Sequence, residues 1–155
     1  MTQYPNDEGL VSKINQSKVL MGGLAAGAVL AALDFAINNF ILADAWERVL
    51  QARNVDLSNT GGNGEVLKFL LIDLLFGLLI VWVYAAIRPR LGPGPGTAAK
   101  ATLVVFGASA LNMATFAPWM FSWDMFLRSA FLGAISMLVA GWVGGWVYSE
   151  ETDPE

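Results

Sequence analysis

The chain has 155 residues, 55% apolar and only 14% charged, with a net charge of -4. Soluble domains carry roughly 25% charged residues, so a water-soluble fold of this length is excluded. Cysteine and histidine are absent, which removes disulfides, thiolate zinc sites, cysteine nucleophiles, imidazole bases and histidine ligation of haem-like macrocycles. No metal or cofactor is therefore expected. The acidic balance comes mainly from Glu150, Glu151, Asp153 and Glu155 at the end of the chain, and nothing suggests a nucleic-acid partner.

Residues 1–18 read as a polar tail, followed by a membrane domain over 19–148 and an acidic tail over 149–155. A bilayer core of about 30 Å needs roughly 20 apolar residues in a helix. Four segments qualify, 19–42, 66–87, 99–120 and 125–148, and the expected fold is an all-α, integral membrane four-helix bundle. The first span follows a partly acidic stretch and is longer than a signal-peptide apolar region, so it reads as an uncleaved helix. On it, Gly23, Gly27, Ala31, Asp34 and Asn38 fall on one narrow stripe. Small residues let helix backbones approach in lipid. Gly23-x-x-x-Gly27 also fits a dimerisation motif, although packing within the chain is the preferred use.

The first loop, 43–65, divides in two. Ala43 to Asn54 predicts a short interfacial helix with Trp46, Val49 and Leu50 on one side. Ser58 to Gly64 (SNTGGNG) reads as a connector, because it lacks the Walker spacing and the Lys-Ser/Thr ending of a phosphate loop. The second span carries Asp73. After it, RPRLGPGPG predicts a stiff turn whose prolines forbid helix. Arg88 and Arg90 serve there as a topology signal, with a lipid-headgroup role as the alternative. The third span is the weakest, holding Asn112 and Pro118, and Ala108, Asn112, Thr115 and Trp119 share one face. On the fourth, Ser129, Gly133, Ser136, Ala140 and Gly144 form a second small-residue stripe, and Gly141-x-x-x-Gly145 repeats the dimerisation motif. The three stripes are expected to meet at the bundle centre, with Gly23, Gly27, Gly133, Ser136 and Gly144 as the packing residues.

Lys13, Lys18, Arg88, Arg90 and Lys100 lie on one side of the membrane, and Arg48, Arg53, Lys68 and Arg128 on the other. The short, purely basic second loop places the first side, with both termini, in the cytoplasm. The two halves also look related. Trp82-Val83-Tyr84 and Trp146-Val147-Tyr148 close the second and fourth spans at equal offset, with Gly77 and Gly141 in register. Gly27 then pairs with Gly107, giving two parallel hairpins about a pseudo-axis along the membrane normal. Shared membrane composition is the alternative.

Ionisable groups at membrane depth mark function by default. Asp34 lies about 23 Å along the first span, Asp73 about 11 Å along the second and Asn112 about 20 Å along the third, at roughly 1.5 Å per residue. All three fall in the outer half, and Arg128 begins the fourth span at the same side. The candidate polar cluster is therefore Asp34, Asn38, Asp73, Asn112 and Arg128. In a structural reading Arg128 pairs with Asp34 or Asp73, the asparagines complete the hydrogen bonds, and the second carboxyl stays neutral. In a functional reading the two carboxylates bind a cation or relay protons. An intramembrane aspartyl protease is disfavoured, because Leu71 and Ile72 precede Asp73 where such enzymes carry a glycine motif. Trp46, Trp119 and Trp123 are expected at the outer interface and Trp82, Trp142 and Trp146 nearer the inner one.

The segments ALDFAINN, Asp73-x-x-x-Gly77 and WVYAAIRPRLGPGP resemble those of a group of small four-helix bacterial inner-membrane proteins. The resemblance covers most of the chain. It implies a bacterial inner-membrane setting, and no activity or functional residue comes with it. The expectation from the residues is a non-catalytic protein in contact with the lipid bilayer and with other membrane-protein subunits, an accessory part of a larger respiratory or photosynthetic complex. The alternative is a small transporter or proton- or cation-conducting protein using Asp34 and Asp73.

Overall fold

The computed structural model describes residues 14–54 and 62–148. Five α-helices follow one another: α1 (Gln16–Ala36), α2 (Ala43–Ala52), α3 (Asn63–Leu91), α4 (Pro95–Met120) and α5 (Trp123–Val147), with a π-helical turn, Ile37–Ile41, at the end of α1. The segments Gln16–Ile41, Gly64–Leu91, Pro95–Met120 and Trp123–Val147 are each long and apolar enough to cross a membrane. The protein is an all-α, four-helix, multi-pass membrane bundle, and α2 is the short amphipathic helix of the first loop. Most of the connector Ser58 to Gly64 lies outside the described residues, but Gly64 already belongs to α3.

Local chemistry sets the helix ends. Asn15 Oδ1 accepts from the Lys18 N–H at 3.0 Å, and Ser122 Oγ accepts from the Met125 N–H at 3.2 Å, each meeting a donor that the first turn leaves unpaired. The second loop is shorter than expected. Helix α3 continues through Arg88-Pro89-Arg90-Leu91, and α4 begins at Pro95. Pro89 falls in the last turn of α3, where it forgoes its own N–H bond to the preceding turn but leaves only a short stretch of helix beyond it. Pro95 occupies the first turn of α4, where a missing N–H costs nothing. The turn proper is Gly92 to Gly94, whose glycines take φ of 78° and 125°, values that L side chains rarely adopt. Thr97 Oγ1 donates to the Gly92 carbonyl at 2.8 Å, and the Gly94 N–H donates to Tyr84 Oη at 3.3 Å.

Helices α3 and α5 share the middle of the bundle, with α1 and α4 on opposite flanks, each touching both. The closest approach is between α1 and α3. A Cβ on Gly77 would stand 2.6 Å from Gly27 Cα, and one on Gly27 would stand 2.6 Å from Leu74 Cα. Gly23 faces the backbone of Leu78, and Gly144 of α5 faces Val81 and Ala26. Gly141 meets the Thr102 hydroxyl, and Gly145 approaches the Ala98 methyl. Both small-residue motifs are therefore used inside the chain, where only glycine leaves room for the facing helix.

One expected stripe and one position of another are corrected, while Ser136, Ala140 and Gly144 of α5 are buried as expected. Gly133 has nothing within 4 Å of a Cβ, and on α4 Ala108, Asn112, Thr115 and Trp119 all face outward. The helix instead buries Thr97, Ala98, Ala101, Thr102 and Val105, a face rotated away from the polar one. The expected pairing of Gly27 with Gly107 also fails in role, since Gly27 is packed and Gly107 is open.

The core lies towards one end. Val19, Ala26 and Leu30 of α1, Ile80, Val81, Tyr84 and Ala85 of α3, Ala98, Ala101 and Val105 of α4, Met137 and Ala140 of α5, and Tyr148 just after it supply the buried cluster. All belong to the half of the bundle on the side of the chain termini, here the tail side. Towards the first loop, the loop side, residues 64–72 of α3 and most of 107–116 of α4 and 127–135 of α5 are exposed or half-buried. The bundle is closed at the tail side and opens over much of the loop-side half, although Leu42, Ala117, Met125 and Phe126 are buried at its far end.

Candidate functional site

Asp34 of α1 and Asp73 of α3 stand on facing helices, near enough for the Asp34 charge to reach Asp73. They are brought together by Gly27 and Gly77, which let the two backbones close just below them. The third member is Ser136 of α5, whose side chain lies close to Asp34. Ser136 Oγ bonds to the Leu132 carbonyl at 3.2 Å, a common habit of serine inside a helix. Both carboxyls are half-buried and Ser136 is buried. The group stands where the closed half of the bundle gives way to the open half.

The π turn is part of the same site. Its wider winding sends the Leu42 N–H to the Ile37 carbonyl at 2.8 Å. Two side-chain amides bond to carbonyls at the end of α1: Asn38 Nδ2 donates to the Asp34 carbonyl and Asn39 Nδ2 to the Phe35 carbonyl, both at 2.8 Å. Trp46 Nε1 of α2 then donates to Asn38 Oδ1 at 2.8 Å. Trp46 packs edge-on against Phe121, with ring centroids 5.8 Å apart. The backbone that carries Asp34 is thus tied to the interfacial helix and to the α4–α5 corner. Single π turns inside α-helices recur at functional positions, and no periodicity in ALDFAINN announced this one.

The proposed cluster is only partly assembled. Asp34 and Asp73 lie within electrostatic reach, and Asn38 joins through the Asp34 backbone. Asn112 lies on the outer face of α4, its side-chain amide bonded to no described residue. Arg128 is not the counter-ion of either carboxyl. It pairs with Asp124 one turn earlier, Nε to Oδ2 at 3.0 Å, in an exposed position. The signal for that pair was present as an i, i+4 spacing, and the lure of a deep acid obscured it. Among the described residues the ion pairs are Arg128–Asp124 and Lys68–Glu65, so Asp34 and Asp73 share a site without a basic group. No cluster of three or more His, Cys, Asp or Glu exists among the described residues to hold a metal ion. Two carboxyls and a hydroxyl at membrane depth are nonetheless competent to hold a single small cation or to pass a proton.

The tryptophans lie outward, Trp119 and Trp123 at the loop side and Trp82, Trp142 and Trp146 at the tail side, as anchoring belts require. Trp46 is the exception, half-buried where α2 packs on Asn38 and Phe121. No protein family, curated protein or solved structure matches the chain.

Proposed function

We propose that the chain is a non-catalytic subunit of a larger assembly in the bacterial inner membrane, its tail side in the cytoplasm. The observation that carries this reading is the open loop-side half of the bundle. There Asn112 and Thr115 face outward on α4, Gly107 and Gly133 have nothing packed on them, and Leu111 between them is 73% exposed. Lipid cannot satisfy an amide, so an uncovered asparagine at that depth calls for a neighbouring helix. Small residues beside it are the surface on which such a helix approaches closely. The placement of the sides rests on the basic residues Lys18, Arg88, Arg90 and Lys100.

The test is photo-crosslinking in native membranes. A photoreactive residue at Leu111 should give a discrete protein adduct, and one at the lipid-facing Leu75 of α3 should give none. Lipid adducts alone at both positions end the reading.

A second reading has its own support. Asp34 and Asp73 share a site with no basic partner among the described residues, beside a π turn. A carboxyl pair of this kind suits proton or cation movement, and the assembly of several chains would complete the path that one bundle leaves open. In liposomes, Asp34→Asn or Asp73→Asn should then each stop ion movement while leaving the fold intact.

A further inference from the structure

The second concentration of charge lies at the loop-side surface. A cleft of about 540 Å³ separates α2 from the corner where α4 turns into α5. Three of its lining residues are arginines, Arg48 and Arg53 from α2 and its end, and Arg128 from α5, against one acid, Asp124. The apolar part of the lining includes Val49, Pro118 and Phe121. Flanking arginines are ordinary topology signals when they point into water from a flat surface. Here two helices hold them around one concavity, and their engagements differ. Arg128 is committed to Asp124. Arg53 donates one N–H to the Trp119 carbonyl, which fixes its guanidinium at the cleft and leaves other donors of its fork unspent. Arg48 bonds to no described residue.

We propose that this cleft binds a phosphate-bearing anion, gripped by Arg48 and Arg53 on the α2 side. The chemistry follows from the lining. A planar guanidinium offers paired N–H donors that match phosphate oxygens, and the pairing is stronger than a neutral hydrogen bond. The α5 side offers the anion less, because Arg128 is already engaged by Asp124. The apolar lining beneath the arginines suits a molecule with both a charged head and an apolar body. The amphipathic α2 sets the cleft at the level of lipid headgroups. The same donors would also take a free phosphate from the aqueous side.

The full-length protein, delipidated in a neutral detergent, serves for the test. Phosphatidylglycerol, phosphatidylcholine and inorganic phosphate are titrated separately, with bound ligand read by native mass spectrometry and thermal stability. Saturable binding of phosphatidylglycerol over phosphatidylcholine identifies a lipid headgroup. Saturable binding of inorganic phosphate with equal stabilisation identifies a soluble anion. Arg48→Gln and Arg53→Gln should each weaken binding roughly tenfold, the worth of one charge-assisted hydrogen bond, while Arg48→Lys retains part of it. Arg90→Gln, on the tail side, should leave binding unchanged. Arg48 bonds to no described residue, so its loss tests binding without disturbing the fold. The proposal is overturned if neither phosphatidylglycerol nor phosphate binds saturably, or if Arg48→Gln and Arg53→Gln bind as the wild type does.

Discussion

Tyr84 and Tyr148 meet edge to face inside the tail-side end of the bundle, with ring centroids 5.8 Å apart and planes at 88°. They are the last residues of the two Trp-Val-Tyr triplets, and they are 3% and 1% exposed. Each triplet divides its labour in the same way, the tyrosine inward and the tryptophan outward. The contact joins the two central helices, α3 and α5. It also anchors the tail-side surface, because Tyr84 Oη accepts from the Gly94 N–H and the Arg88 guanidinium lies 5.8 Å from the Tyr148 ring.

This pair should be measurable as a coupling. Tyr84→Ala and Tyr148→Ala should each destabilise the bundle by about 3–5 kcal/mol, as large aromatic truncations do. The double variant should lose less than the sum, by about 0.5–1.5 kcal/mol. Unfolding in detergent with increasing sodium dodecyl sulfate would report it. Strict additivity would mean that the ring contact adds nothing beyond burial.

Glycines of identical appearance in the sequence should respond oppositely to one methyl group. Gly77→Ala drives a Cβ into the Gly27 backbone and should cost about 1–3 kcal/mol, the usual range for overpacking. Gly133→Ala and Gly107→Ala meet open space and should be neutral or stabilising by up to about 1 kcal/mol, since alanine favours helix. Thermal stability in detergent ranks the three. A Gly133→Ala loss as large as that of Gly77→Ala would show that α5 packs more tightly at its loop side.

The charges should separate into two independent groups. Arg128→Met and Asp124→Asn should couple weakly, by about 0.3–0.5 kcal/mol, as exposed i, i+4 pairs do. Arg128→Met and Asp73→Asn should add within about 0.5 kcal/mol, as expected of residues that share no partner. Double-mutant cycles in detergent decide between them. A large coupling of Arg128 to Asp73 would restore the intramembrane salt bridge that the structure replaces.

The π turn should depend on its amides. Asn38→Leu removes both the bond to the Asp34 carbonyl and the acceptor for Trp46 Nε1, and should cost about 1 kcal/mol, given how modest hydrogen bonds prove to be inside membranes. Trp46 fluorescence should shift as α2 loosens. An unchanged emission spectrum would mean that Phe121 packing alone holds Trp46.

Composition, span length and the loss of every cysteine and histidine decided the class of protein without coordinates. Lipid demands long apolar helices whatever their partners, and that demand is written residue by residue. The contact glycines of α1 and the outward tryptophans were legible for the same reason. The Asn112 face was misread because a small or polar stripe shows only that a helix has two unlike sides, whereas Gly133 lies on the inward stripe of α5 at a level where no neighbour reaches it. Which side turns inward depends on the rotation of every neighbour at once. The continuation of α3 through Pro89 was missed because a proline removes only its own N–H bond and crowds the turn before it, so a helix held by its packing can run on a few residues beyond. The pairing of Asp34 with Asp73, and the separation of both from Arg128, rested on the α1–α3 approach at Gly27 and Gly77. Charge pairing falls off with distance, and distance between helices is a property of the packed bundle and of no single segment.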